Sequence, residues 1–233
     1  MELLLEDLKW CIKRLPKRVE KLMKEKGNKL MLAGGFIRAC VSNEKPNDID
    51  LFSASSKDAE LFVNIIKKDT DRVIKTDYAY TLVSGPKPPI QFIHKWTYEN
   101  PTDVLPSFDF TIARAMIWFN GELWQSLCDD RFYADLAAKR LVYCSPKRIE
   151  EVGGSMLRVL KFYQKGYRIP LDSLGAVIAR IHSGLDQERI QEQEKSEQEE
   201  YCSKVLTGLL REVDPNIDPT HIAHLPSTRK DTE

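Results

Sequence analysis

The chain has 233 residues, 42% hydrophobic and 30% charged, as expected of a soluble globular protein with enough apolar material to bury a core. Its 35 Lys and Arg balance its 35 Asp and Glu, so net charge selects no partner. No apolar run approaches a membrane span, and five scattered cysteines without a CxxC pair argue against a disulfide framework or a zinc site.

The opening MELLLEDLKW is interrupted by acids and does not read as a signal peptide, so a cytoplasmic setting is expected. Leu3, Leu4, Leu8 and Cys11 have helical spacing over 2–12, and Pro16 interrupts or restarts that helix. A second helix is predicted over 17–26, stopping at Gly27-Asn28. It lies in a basic segment, 13–29, with eight basic and two acidic residues; this is either a solvated helix face or a surface for a phosphate-rich partner. KLMLA (29–33) reads as a short buried strand, Gly34-Gly35 as a turn, and the residues after it as the first turns of a helix. DIDLFS (48–53) alternates like a strand, and 57–68 is amphipathic with helical period. Three strands follow between 72 and 96, with GPKPP as a hairpin-type connection. Residues 108–119 form a strand or strand-to-helix element, NGEL turns, and LWQSL returns as a strand. From about 130 the pattern is helical, including a Glu/Gln-rich stretch at 186–200. This order is neither regular βαβ nor all-β, and predicts an α+β fold: a domain over 1–140 with a helical extension over 141–233.

The chemistry is concentrated in LAGGFIRACVSNEKPNDIDLF (32–52). On a strand, Asp48 and Asp50 project to one face, about 6–7 Å apart along the chain, with Ile49 turned into the core. Two like-charged carboxylates so placed suit hard divalent cations, Mg²⁺ above all. Gly34 and Gly35, between a strand and a helix, leave backbone N–H groups accessible to an anion. Arg38, one turn along, adds a charged fork for phosphate oxygens. An anion cradle joined to metal-binding carboxylates is the minimum equipment for a nucleoside triphosphate.

The same stretch resembles the amino-terminal signature of the polymerase-β-like nucleotidyltransferase superfamily. It looks closest to the head of class II CCA-adding enzymes and bacterial poly(A) polymerases: a strand, GG-x-x-R-D, a loop, then D-x-D on the next strand. SFDFTIARA (107–115) is similar to the family's R-R-D-F-T-I-N-A, and MLRVLKFYQKGYRI (156–169) to its neck helix. The resemblance implies a mixed sheet flanked by helices with a helical neck, and transfer of an NMP from an NTP to an acceptor hydroxyl with Mg²⁺ or Mn²⁺. It implies that Asp48 and Asp50 hold the metals, and that Gly34, Gly35, Arg38 and, from the neck, Arg158 bind the nucleotide.

The chain departs from the family at several places. Ala39 replaces the Asp of GG-x-x-R-D, Ser107 and Phe108 replace the two arginines, and Arg114 replaces the Asn. Gln91 stands where many relatives have a third metal-binding carboxylate, so Asp109 is expected to take over that catalytic role, directly or through a water or the ribose. No convincing base-templating E-D-x-x-R follows; DQER (186–189) matches only in part. The residues after the neck are too few for the body and tail of CCA-adding enzymes, so the chain reads as a head and neck. An RNA or tRNA-like 3′ end is the expected acceptor. A protein or small-molecule acceptor, or a degenerate nucleotide-binding module, remains the alternative. His94 is read as structural, His221 and His224 lack the partners of a zinc hydrolase, and Gly153-Gly154 as a break before the neck.

Overall fold

A computed structural model of the chain describes residues 1–146 and 153–213. Its centre is a seven-stranded sheet in the order β3-β4-β5-β2-β1-β6-β7. In chain order, α1 (Leu5–Arg14) and α2 (Lys17–Lys26) precede β1 (Leu30–Ala33), α3 (Gly35–Val41), β2 (Ile49–Ser53) and α4 (Ser56–Ile66). The strands β3 (Arg72–Lys75), β4 (Ala79–Val83), β5 (Ile90–Ile93), β6 (Ala115–Phe119) and β7 (Trp124–Cys128) follow, then α5 (Phe132–Ala137). The last helices are α6 (Gly154–Gln164), α7 (Leu171–Ser183), α8 (Gln187–Gln191) and α9 (Gln198–Val213). β2 and β5 pair in parallel and the other neighbours are antiparallel. This is the expected α+β arrangement of mixed sheet, flanking helices and helical carboxy-terminal part.

Local chemistry explains the element ends. Pro16 separates α1 from α2 at extended backbone angles. Ser55 caps α4 by accepting from the Asp58 N–H at 3.1 Å, which replaces a hydrogen bond the first turn lacks. The stretch 108–119 is a 3-10 turn at Thr111–Ala113 leading into β6. Gly153 caps α6 and Gly154 is its first residue, so the paired glycines stand at a helix start.

Strand alternation divides the apolar residues between two layers. Leu30, Leu32, Ile49, Leu51, Phe92 and Ile117 face the helices and join Val19, Leu22, Phe36, Phe62 and, from the neck, Val159 and Tyr167 in the main core. Met31, Ala33, Phe52, Ile93 and Met116 face the other way, where a 3-10 segment, Pro101–Ser107, brings Val104 and Leu105 over them. Nothing in the hydrophobic period of 96–108 announces this roof.

The segment bearing Asp109 is tied to the stretch that follows α5. Thr111 N–H donates to Val142 O at 3.1 Å, and Cys144 N–H donates to Asp109 O at 2.7 Å. Beneath them Asp135 is fully buried and accepts from Thr111 Oγ1 at 2.7 Å, Arg140 Nε at 2.9 Å and Arg131 Nε at 3.2 Å. Burial alone would raise the Asp135 carboxyl, but Arg131, Thr111 and Arg140 overcome it and hold the carboxyl below its usual 3.8. Asp135→Ala is expected to cost about 3 kcal/mol at pH 7 in urea unfolding. Because the folded value is depressed, this contribution is present above 3.8 and lost as pH falls through the folded value. The gap between wild type and variant should therefore narrow in acid.

Candidate active site

The glycine turn begins where β1 ends. Gly34 has φ 80° and ψ −131°, a backbone state that side chains disfavour. Its N–H donates to Ala115 O on the neighbouring strand at 3.0 Å. An added Cβ there would come within 2.9 Å of Phe108 Cε1, so the ring of Phe108 lies directly against this glycine. Gly35 differs: a Cβ would meet only Asp48 Oδ1, at an ordinary 3.8 Å. Of the two glycines, Gly34 is required by the fold, while Gly35 keeps the space in front of Asp48 open.

Asp48 precedes β2 and Asp50 lies within it, both partly exposed. The parallel register sets Gln91 of β5 opposite Asp50, and Thr81 of β4 opposite Gln91, so three polar side chains cross neighbouring strands on one face. Gln91 thus stands beside Asp50, bringing an amide oxygen without charge. Among the described residues no group of three or more His, Cys, Asp or Glu is placed to hold a metal, so the direct form of the Asp109 expectation is not seen. Asp109 is 3% exposed, and its Oδ2 accepts from Arg158 Nη1 of α6 at 2.6 Å. The two residues form an ion pair that ties the sheet segment to the neck. Asp48 and Asp50 carry oxygen atoms of the hard type that Mg²⁺ or Mn²⁺ accepts.

Cations converge on this place from two helices. Burial raises the Asp48 carboxyl above its usual 3.8 against the opposing pull of Lys161, Arg38 and Lys165. Arg38 is 5% exposed; its Nη1 donates to Glu44 Oε2 at 3.0 Å and its guanidinium lies 5.1 Å over the Phe162 ring. Among the described residues the buried Arg38 Nε has no hydrogen-bond partner. An anion with several oxygens satisfies such a donor, so these residues fit a triphosphate.

Other singled-out residues have local partners. Arg14 donates to Glu44 O, Arg18 pairs with Asp71, Lys17 and Lys24 flank Glu20, and Lys21 reaches Glu25 at 3.7 Å. Glu20 and Glu25 belong to segment 13–29 itself, so of these pairs the one with Asp71 takes up a charge with an acid outside the segment, and Lys13, Lys17, Lys21, Lys24 and Lys29 stay exposed. His94 Nε2 bonds to Thr76 O at 2.9 Å, as befits a structural histidine. Asp186 of DQER accepts from the Arg189 N–H and caps α8. His221 and His224 lie outside the described residues.

The description "Gabija anti-defense 2 family protein" applies to a family profile that matches residues 3–139. The chain belongs to the Gabija anti-defense 2 family. A curated relative, "Gabija anti-defense 2" of Bacillus phage SPbetaL7, is 28% identical over 144 residues, covering 62% of this chain and 35% of its own. Among solved structures, the Thermotoga maritima CCA-adding enzyme complexed with tRNA aligns with TM-score 0.53 at 18% identity, over 76% of this chain and 45% of that one. A CCA-adding enzyme with ATP aligns with TM-score 0.54 at 16% identity, over 91% of this chain and 57% of that one. An apo form aligns with TM-score 0.55 at 17% identity, covering 86% and 53%. At such identities the likeness is one of fold: this Gabija anti-defense 2 family chain has the nucleotidyltransferase fold. It spans little over half, or less, of the proteins it matches.

Sequence reasoning missed Lys161, Lys165 and Glu44. Arg158, Lys161 and Lys165 fall at i, i+3 and i+7, a one-face spacing that could have flagged the two lysines. Nothing comparable flagged Glu44. The raised Asp48 value has a consequence for this family member's stability. Its neutral-form advantage is full below 3.8 and lost as pH rises through the folded value, so at pH 7 the charged carboxylate burdens the fold. Asp48→Asn is expected to raise the melting temperature at pH 7 by about 2–4 °C, with the gain vanishing in acid. Millimolar Mg²⁺ should stabilise wild type and leave the variant nearly unchanged.

Proposed function

We propose that this chain is a metal-dependent nucleotidyltransferase that moves an NMP from an NTP to an acceptor hydroxyl, and that this transfer counters the Gabija defence named in its family. The carrying observation is the grouping of Asp48, Gly35 and the buried Arg38, with Asp50 beside Gln91 on the adjoining strands. In the reaction, the acceptor hydroxyl gives up its proton to solvent and its oxygen bonds to the α-phosphorus, as the bond to the bridging oxygen breaks and pyrophosphate leaves. A divalent cation held by Asp48 and Asp50 would supply charge neutralisation at the reacting oxygens. Arg38 binds the phosphates, and Gly35 leaves them room to approach. Asp109 acts through Arg158, as a positioning residue that sets the neck helix against the site. We take an RNA 3′ end of the tRNA type as the acceptor, since a structural neighbour was solved with tRNA. A protein or small molecule is the alternative acceptor.

A second reading draws on Gln91 and on Phe108 against Gly34: the site binds a nucleotide without transferring it. Incubation with each α-labelled NTP, Mg²⁺ or Mn²⁺, and total RNA or lysate separates the two. Transfer predicts a labelled acceptor, and Asp50→Asn should lower labelling by more than about a hundredfold. Bound but untransferred NTP would establish the second reading. Gly35→Ala should keep the melting temperature while weakening NTP binding, because its Cβ fits the fold but enters the approach path. Gly34→Ala should instead destabilise the protein outright.

A further inference from the structure

We propose that Glu44 is an internal stand-in for polyphosphate: it holds the cation site made by Arg38 and the neck residue Lys165, and the phosphates of an incoming nucleotide displace it. The identity of the displacing ligand rests on the function proposed above.

Arg38 carries its charge almost out of water, and Glu44 Oε2 is 3.0 Å from its Nη1. The same oxygen lies 4.0 Å from Lys165 Nζ, at the carboxy-terminal end of α6. One carboxylate oxygen thus bridges a cation of the sheet-flanking helix and a cation of the neck, a geometry a phosphate oxygen reproduces. The carboxylate leaves work undone, because Arg38 Nε, buried beside it, has no partner among the described residues. A phosphate chain carries more oxygens than one carboxylate and can reach that donor as well.

The charge balance points the same way. Arg38, Lys161 and Lys165 act on Asp48, Arg38 and Lys165 also meet Glu44, and Lys165 is itself held below its usual value by burial first and by Arg38 next. A divalent cation on Asp48 moves the cluster further positive, and a multivalent anion restores the balance.

Displacement needs only a side-chain rotation. The Glu44 N–H donates to Ala39 O at 2.7 Å, and its carbonyl accepts from Arg14 Nη2 at 3.2 Å, so the backbone is fixed at both groups. The side chain, by contrast, is 32% exposed and has water beside it to turn into. Exchange of Glu44 for phosphate preserves the bridge between α3 and α6, and the ligand inherits the tie between sheet and neck.

Calorimetry on the full chain with inorganic tripolyphosphate tests this without requiring transfer. Wild type should bind, and Lys165→Gln should weaken binding about tenfold, the loss of one charge-assisted contact. Glu44→Gln should tighten binding about threefold or more, since the competitor loses its charge. Thermal melts establish that each variant is folded. Should the Gln variant fold poorly, Glu44→Asp, which keeps the charge but shortens its reach, is expected to shift affinity in the same direction. Unchanged or weaker binding in the Glu44 variants, or unchanged binding in Lys165→Gln, overturns the proposal. If NTP labelling succeeds while these affinities do not move, the stand-in is wrong and the transferase reading survives. If labelling fails while they move as stated, the reverse holds.

Discussion

A carboxylate held partly out of water is the constraint on which the site depends. Asp48 sits against the open side of Gly35, and burial disfavours its charge. A fold tolerates such a group when cations stand near it, and here Arg38 comes from α3 and Lys161 and Lys165 from the neck. The neck is therefore part of the site's electrostatics as well as an appendage to the sheet. The Asp109–Arg158 pair reinforces this mechanically, locking α6 to the segment whose Phe108 ring covers Gly34.

On the strands themselves, Asp50 of β2 and Gln91 of β5 stand opposite each other, with Asp48 just before β2. The Gln91 amide brings polarity to that pair without charge, while Lys161 and Lys165 act on Asp48. An aromatic ring, Phe108, occupies the ground beside the glycine turn, held in turn by an edge contact to Phe52 at 5.8 Å. The apolar roof over that face of the sheet thus extends up to the site.

Much of this was legible in the sequence, and the reasons are physical. Strand β1 is a short apolar run, β2 to β7 fall on the predicted strand segments, and helices α1, α2 and α4 carry an apolar stripe that the chain alone displays. The glycine turn and the Asp48/Asp50 pair are local motifs, readable because strand-turn-helix geometry needs no distant partner. What could not be read depends on contacts between remote segments. Arg18 was counted as surface charge, but its partner Asp71 lies beyond α4. Arg38 was placed as a phosphate ligand without any sign that it would be buried beneath Phe162. Asp109 is expected, from Gln91 in place of a carboxylate, to serve the other aspartates directly or through a water or the ribose; its pairing with Arg158, a residue of a remote helix, has no local signal. The 3-10 roof at Pro101–Ser107 has neither period and left no trace.

The pairing of β1 between β2 and β6 also orders events in time. Gly34 is fixed by its bond to Ala115, and Met31 pairs across to Trp118, so the turn is completed by residues far downstream. During synthesis, the glycines, Arg38 and both aspartates emerge long before the strand that anchors them. Closing so long a loop is entropically slow, and pairings of this separation are late events in folding. A nascent chain ending before β6 has Gly34, Gly35, Arg38 and both aspartates, but lacks the Ala115 carbonyl that accepts from the Gly34 N–H. The helix that carries Lys161 and Lys165 follows later still.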